Sequence, residues 1–322
     1  MRVVTSTDSW RVYRQERVVL AALIGCLSLL IQCTAIPIQF PLEPTPISEV
    51  SLAAQHQEIA FNTTMGSEAR WRVGNLFLMS ADGESQVALG GSRTAIGDIT
   101  PSWARDGAAI AFAEILSVPT PECGTGLVIM HEDGSTEIMP CVLNAAWSPD
   151  NQSLAFYQYR PYSRIIQVNE QTRDTKILVD GLKEYKYGIR LSWSPDGQEL
   201  AYELQDAKDN WGIHIVNQDG TGARHLTRGS SPDWSPNRHE IAFDYQGKIW
   251  VINSDGSDLR SITDGPGDQS PSWSPNGEEL VFGSARESEG NIYRVRRDGT
   301  NLKRLTFNRA WSGRPAWRPI AK

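Results

Sequence analysis

From about residue 55 onward, short apolar segments alternate with clusters of turn-forming residues. This pattern predicts β-strands joined by tight turns. One stretch shows four such segments, with Ser-Pro-Asp196-Gly197 after the first and Asp219-Gly220 after the third; the segments are residues 191–193, 199–202, 213–216 and 224–227. Glycine suits the second turn because it adopts a positive φ without steric cost. Each repeating unit is therefore predicted to contain four strands.

The unit recurs along the chain and carries a tryptophan at the end of its first strand. The six tryptophans are spaced 44, 46, 41, 39 and 44 residues apart, at Trp103, Trp147, Trp193, Trp234, Trp273 and Trp317. A period of 40–45 residues with one aromatic residue and one tight turn per unit is typical of β-propeller blades. We therefore predict an all-β fold, a six-bladed β-propeller over residues 55–322, with the tryptophans wedged between blades.

The two ends of the repeat region are each incomplete. Three strands, at residues 58–61, 75–79 and 86–89, precede the first complete unit, and the chain ends on a lone first strand at residues 315–317. Together they make one four-stranded blade. We expect the carboxyl-terminal strand to join the three amino-terminal strands and close the ring, which leaves no open sheet edge.

The amino terminus differs from the repeats. Arginines in residues 1–17 precede an apolar segment at residues 18–31, which is typical of an export signal. Residues 1–35 are therefore predicted to be a signal peptide or a membrane anchor. Lipidation at Cys26, cleavage after Cys33-Thr34-Ala35 and retention of residues 18–38 as a membrane span stay open. Four prolines in residues 36–54 predict an extended tether.

Two cysteines lie in the repeat region, on either side of a predicted hairpin. Cys123 and Cys141 flank the strands around the turn His131-Glu-Asp-Gly134 and fall nearly opposite each other. Export would place them in an oxidising compartment. We predict a Cys123–Cys141 disulfide, because the two Cα atoms come within bonding reach in this hairpin.

The composition and the motifs that the sequence lacks argue against several classes of function. The chain has a net charge of −7 and no run of five basic residues, which argues against nucleic-acid binding. It contains no Gly-x-Ser-x-Gly elbow, no His-Glu-x-x-His motif and no phosphate-binding glycine loop. We predict no catalytic residues, no cofactor and no metal site, and expect a monomer.

The repeats resemble a known family. Phe282-x-Ser284-x-Arg286, Gly290-x-Ile292-Tyr293, Asp298-Gly299, Leu305-Thr306 and Pro315-Ala316-Trp317 follow one another as in the WD-repeat-like units of TolB-type propellers. The resemblance covers about residues 55–320 and implies an extracytoplasmic six-bladed propeller. TolB also has an α/β domain ahead of its propeller that contacts the envelope-spanning Tol–Pal system, whereas a tether of about twenty residues occupies that place here.

One face of the predicted disc has variable loops rich in tyrosine, tryptophan and arginine, the residue types that dominate interface hot spots. We predict that these loops bind a partner; the candidates are Arg70, Trp71, Tyr159, Arg160, Tyr162, Tyr185, Tyr187, Arg190, Trp211, Arg286, Arg309, Trp311 and Arg314. The primary hypothesis is a non-enzymatic scaffold that binds another envelope protein. The alternatives are a propeller that binds glycan or oligosaccharide, and a propeller-type lyase or hydrolase. Membrane contact is expected through the amino-terminal segment only.

Overall fold

The structure is a computed structural model of the chain. It describes residues 58–64, 74–89, 100–115, 123–185, 188–287, 290–307 and 311–319. The chain divides into two compact units, Met1–Phe40 and Pro41–Lys322, and all described residues belong to the second. The predicted leader, Cys26 and the tether lie outside the described residues. No helix in the described part of the chain is long and apolar enough to cross a membrane.

Within the described residues, 24 strands form six four-stranded antiparallel sheets. Blade 1 contains β4 (Ser102–Trp103), β5 (Ala109–Ile115), β6 (Thr125–His131) and β7 (Thr136–Pro140). Blade 2 contains β8 (Val142–Trp147), β9 (Ser153–Gln158), β10 (Arg164–Asn169) and β11 (Thr175–Val179). Blade 3 contains β12 (Leu191–Trp193), β13 (Glu199–Gln205), β14 (Trp211–Asn217) and β15 (Arg224–Arg228).

The second half continues the same order. Blade 4 contains β16 (Ser230–Trp234), β17 (Glu240–Tyr245), β18 (Lys248–Asn253) and β19 (Arg260–Ser261). Blade 5 contains β20 (Asp268–Trp273), β21 (Glu279–Ser284), β22 (Asn291–Arg296) and β23 (Lys303–Arg304). Blade 6 combines β24 (Trp311–Trp317) with β1 (Ile59–Thr64), β2 (Gly74–Met79) and β3 (Gln86–Ala88). The predicted six-bladed propeller is confirmed.

Ring closure follows the predicted route. Strand β24 pairs antiparallel with β1, with Trp317 opposite Ile59 and Trp311 opposite Thr64. Beyond the strand, the Arg318 guanidinium donates to the carbonyl oxygen of Gly107 in blade 1, with Nη2 2.7 Å from it. The carboxyl-terminal strand therefore completes blade 6 and also joins that blade to its neighbour.

The repeat tryptophans are all buried and lie between blades. Trp193 donates its indole N–H to the carbonyl of Ala146 in the preceding blade at 3.1 Å, and Trp273 donates in the same way to Asp233 at 3.1 Å. The apolar clusters contain residues from successive blades; one joins Ala146 and Tyr157 to Trp193 and Tyr202. The tryptophans therefore act as the predicted wedges in a ring of sheet-on-sheet contacts.

A recurrent irregularity shapes the inner strands three residues before the tryptophan. Asn144, Ser231, Ser270 and Arg314 have positive φ values of 46–56°, and four inner-strand pairs shift register nearby. Such β-bulges bend a strand and redirect its side chains. The backbone N–H of Ser231 donates to the buried carboxylate of Glu203 in the preceding blade at 2.6 Å. The bulges therefore also provide donors that link neighbouring blades.

The outer turns follow the sequence closely, with one variation. Gly220 adopts a φ of 85° in the Asp-Gly turn of blade 3. Blade 2 has no glycine there; Arg173 takes the left-handed conformation at a φ of 59°. Its hairpin is one residue longer, because the closing hydrogen bond runs from Asn169 to Asp174. The loop is therefore longer than that of blade 3, where the corresponding bond runs from Asn217 to Thr221.

The disulfide is present as predicted. Cys123 and Cys141 are bonded, with their Cα atoms 5.3 Å apart, at the open end of the hairpin formed by β6 and β7. Gly126 lies opposite Pro140 in that hairpin. The bond therefore ties together the outer edge of blade 1.

An ion-paired cluster links blades 4 and 5 near the outer turns. The Glu240 side chain is 5% exposed, and its carboxylate accepts hydrogen bonds at 2.6 Å from Arg260 Nη2 and Arg297 Nε. Burial alone would raise the pKa of this carboxyl, but the hydrogen bonds from Arg297 and Arg260 outweigh it and hold the pKa below the usual value. The ionised Glu240 carboxylate therefore links the neighbouring blades 4 and 5.

Candidate functional site

The connections of the propeller lie on two faces that differ in character. The turns between first and second strands and between third and fourth strands repeat one hydrogen-bonding pattern; in blade 4, Asp255 accepts from the backbone N–H of Ser257 at 2.8 Å. We call this the uniform face. The connections between second and third strands, and those between blades, form the variable face, where loop length and content differ from blade to blade.

An exposed polar and aromatic patch lies on the variable face, on loops of blades 2 and 3. Tyr162 is 59% exposed, and Arg164 lies over its ring at 5.4 Å. Arg160 Nη2 lies 3.4 Å from Glu184 Oε1, and Lys183 Nζ lies 4.0 Å from Asp209 Oδ1. All four of these ion-paired side chains are more than half exposed. We define the Tyr162 patch as Arg160, Tyr162, Lys183, Glu184 and Asp209.

Three other predicted binding residues of this region pack inward. Tyr185 is 7% exposed, and its hydroxyl accepts from the backbone N–H of Gln205 at 3.2 Å. The Trp211 ring lies 5.5 Å from the Tyr185 ring. The hydroxyl of Tyr159, a half-buried residue, lies 2.7 Å from Thr125 Oγ1 in blade 1. These aromatic side chains support the loops that carry the Tyr162 patch.

Three predicted arginines outside that patch are held by neighbouring groups. Arg286 is 14% exposed and donates to both carboxylate oxygens of Asp268 at 2.7 and 2.9 Å. Arg314 donates to Thr100 Oγ1 at 3.3 Å. Arg190 lies beside buried Glu203, and its backbone N–H donates to that carboxylate at 3.0 Å. Burial raises the pKa of Glu203, and the Arg190 charge opposes this rise.

The remaining predicted residues divide between described and undescribed parts of the chain. Trp311 is half-buried at the start of β24, against Gly290 and Gly313. A Cβ at Gly290 would lie 2.4 Å from Trp311 Cδ1, so the indole occupies the space that this glycine leaves. Four predicted residues lie outside the described residues: Arg70, Trp71, Tyr187 and Arg309.

A second candidate site is the central channel. It has a volume of about 150 Å³ and is lined by the inner strands of all six blades. The residues just before the tryptophans line it; they are Ser102, Ala146, Ser192, Asp233, Ser272 and Ala316. Among these six positions, only Asp233 carries an ionisable side chain.

The Asp233 carboxylate accepts hydrogen bonds, but its burial disfavours the negative charge. Its Oδ2 accepts from the backbone N–H of Trp273 at 2.7 Å, and its Oδ1 lies 3.3 Å from Ser192 Oγ. Burial raises the pKa of Asp233 to about 6, although the hydrogen bonds and the charge of Arg105 oppose the rise. Burial lowers the pKa of Arg105 in turn. The channel therefore contains a carboxyl group whose pKa burial raises well above the usual value.

The sequence prediction missed this pair, although the repeat contained a signal for both residues. Arg105 stands where the other five units have proline, and Asp233 stands where they have serine or alanine. Departures from a repeat at positions facing the axis are visible without a structure. Their proximity is not, because the two residues are 128 positions apart and belong to blades 1 and 4.

Among the described residues, no group of three or more histidine, cysteine, aspartate or glutamate side chains could hold a metal ion. Two buried carboxyls whose pKa values are raised by burial, Asp233 in blade 4 and Glu203 in blade 3, each accept a backbone N–H of the next blade. Their hydrogen bonds therefore have a structural role in joining blades.

Comparison with known proteins identifies the repeat type. The model of the TolB β-propeller domain matches residues 229–322. No curated protein matches the chain. TolB from Acinetobacter baumannii is similar in structure, with 20% identity and a TM-score of 0.68, over 81% of this chain and 67% of that one.

Two further solved structures share the fold. A putative TolB from Agrobacterium tumefaciens has 18% identity and a TM-score of 0.59, over 82% of this chain and 99% of that one. A chain of the nidogen/laminin complex has 11% identity and a TM-score of 0.60, over 81% of this chain and 98% of that one. The predicted resemblance to TolB-type β-propellers is therefore confirmed, by sequence over residues 229–322 and by fold over the ring.

Proposed function

We propose that this chain is a non-enzymatic, extracytoplasmic scaffold that binds another protein through its variable face. The observation that carries the proposal is the Tyr162 patch, because the loops of blades 2 and 3 carry an aromatic ring that is 59% exposed and two ion pairs of exposed side chains. Tyrosine and arginine combine a large contact area with directional hydrogen bonding, which is why they dominate interface hot spots.

The ion pairs within the patch are weak enough to be replaced by contacts with a binding partner. Its two ion pairs, Arg160–Glu184 and Lys183–Asp209, are exposed, and such pairs contribute about 0–1 kcal/mol to stability. Replacing them with contacts to a partner therefore costs the fold little. The loops beneath are held by Tyr185 and Trp211, so the exposed groups stand on a packed base. A pre-organised surface loses less entropy when it binds.

The fold relatives and the disulfide support the same proposal. One structural relative is a chain of the nidogen/laminin complex, so a propeller of this fold occurs in a complex of proteins. The Cys123–Cys141 disulfide is typical of proteins in oxidising compartments. The apolar segment near the amino terminus, if it acts as an export signal, would deliver the propeller to such a compartment.

Site-specific photo-crosslinking in the cells that make the protein tests the proposal. A photoreactive amino acid replaces Tyr162 in one variant and Glu184 in another. A matched control carries it at Ser257, an exposed position on the uniform face. We expect one protein adduct of the same mass from the first two positions and none from the control.

A second pair of variants links the adduct to the patch itself. Adding R160A to the Glu184 probe should weaken the adduct, whereas adding D255A on the uniform face should not. No protein adduct from either patch position, or equal adducts from all three probes, would overturn the proposal. Crosslinks to carbohydrate in place of protein would favour the glycan-binding alternative.

A further inference from the structure

Two histidines lie side by side on the outer half of blade 3. His214 on β14 pairs directly with His225 on β15. Their ring centroids are 5.1 Å apart, and the ring planes meet at 78°. Neither imidazole forms a hydrogen bond within the described ranges of the chain. The pair is therefore uncommitted to the networks that hold the blades together.

Both imidazoles direct a ring nitrogen at the same space. Gly212 precedes His214 by two residues, so both residues face the same side of the sheet. A Cβ at Gly212 would lie 3.0 Å from His225 Nε2 and 3.5 Å from His214 Nε2. The missing side chain leaves room beside both nitrogens. Any larger residue there would crowd the two rings.

The surroundings keep the nitrogens available as ligands. His214 is half-buried, and its ring lies against Tyr202 with centroids 5.5 Å apart. Imidazole nitrogens are the commonest metal ligands in proteins. His225 is exposed, which leaves a path from solvent.

We propose that His214 and His225 together bind one divalent transition-metal ion through their Nε2 atoms, with water completing the coordination. Imidazole ligands suit zinc, copper and nickel, whereas calcium and magnesium prefer oxygen. A bound ion would bridge β14 to the outermost strand β15. It would stabilise the folded chain by an amount that rises with the logarithm of the free ion concentration above the Kd, because the unfolded chain does not hold the two rings together.

Titration calorimetry of the metal-free full-length chain with zinc and nickel chlorides tests the proposal. The variants are H214Q and H225Q, with H239Q as the matched control, because His239 is exposed and lies in blade 4. We expect one ion per chain for the wild type and H239Q. H214Q and H225Q should each bind the ion about 10–100-fold more weakly. A loss of this size is typical when a residue that supports a metal ligand is removed.

Electron paramagnetic resonance of the copper(II) form gives a second, spectroscopic readout. The wild type and H239Q should show coupling to two imidazole nitrogens, and the H214Q and H225Q variants to at most one. Circular dichroism confirms that each variant is folded. Wild-type affinity in the H214Q/H225Q double variant, or no binding by the wild type, would overturn the proposal. Because the site lies outside the Tyr162 patch, this result is independent of the proposed partner binding.

Discussion

Replacing the channel carboxylate with its neutral amide should make the propeller more stable at alkaline pH. Asp233→Asn keeps an oxygen that can accept the 2.7 Å hydrogen bond from the Trp273 backbone N–H. It removes a negative charge that burial disfavours. Asp233 has a pKa of about 6 in the folded chain, against a reference value of 3.8.

The size and sign of the effect follow from linkage. A folded pKa above the unfolded pKa means that the folded state binds the proton more tightly, so the wild type gains stability as the pH falls from 6 to 4. One pKa unit corresponds to about 1.4 kcal/mol, which sets an upper limit of about 3 kcal/mol for the charge at pH 8. Asp233 keeps partial contact with the channel. Hydration there reduces the expected gain of D233N to about 1–2 kcal/mol.

Urea denaturation of the wild type and D233N at pH 8 and pH 4 measures this difference. We expect D233N to be more stable at pH 8 and nearly equal to the wild type at pH 4. Asp255→Asn is the matched control on the uniform face. Hydrogen bonds from the Ser257 hydroxyl and backbone hold the pKa of Asp255 below its usual value, so its removal should not stabilise the chain at pH 8.

Two results would refute the reasoning. One is a D233N variant that is less stable than the wild type at pH 8. The other is a stability difference that stays the same from pH 4 to pH 8, because a change that does not titrate cannot come from the charge. Either result would mean that the channel solvates the carboxylate well, or that Arg105 compensates its charge fully.

Three further changes test how the ring is held together. E240Q should lower the free energy of unfolding by about 2–3 kcal/mol at pH 7, because two arginines lose their charged acceptor. Urea denaturation measures this free energy, and a loss under about 0.5 kcal/mol would contradict the role of Glu240 in linking blades 4 and 5. C123S/C141S should lose about 3 kcal/mol, as expected for cysteines 18 residues apart, and an unchanged melting temperature would argue against a stabilising bond. Deleting residues 313–322 should abolish the single cooperative melting transition by opening blade 6, whereas an unaltered calorimetric peak would contradict closure by β24.

Much of the fold could be predicted because it depends on local, repeated signals. The tryptophan period gave the number of blades, and the incomplete ends of the repeat gave the partner of β24. The disulfide followed from the hairpin register, in which Cys123 and Cys141 fall near one another. These inferences need only strand alternation and turn chemistry, both of which act over a few residues.

The candidate site could be predicted only in part, because exposure depends on contacts between blades. Loop position and residue type placed Tyr162 and Tyr185 in the same class, yet Tyr162 is exposed and Tyr185 is buried. Arg286 also fitted the pattern of a binding residue, but Asp268, 18 positions earlier, pairs with it. Neither outcome follows from spacing along the chain. Tyr185 is buried by its contacts with Tyr157 of blade 2 and Trp211 of blade 3, whereas Arg286 is paired within blade 5.

The most direct test of the account compares the proteins that co-purify with three versions of the full-length chain. Wild type, the patch variant R160A/Y162A and the uniform-face variant D255A would be isolated from the native cells after mild crosslinking. Quantitative mass spectrometry would then compare the captured proteins. The account predicts a protein that is retained by the wild type and D255A and lost from R160A/Y162A. Equal recovery of every protein from all three versions would contradict a binding role for the Tyr162 patch.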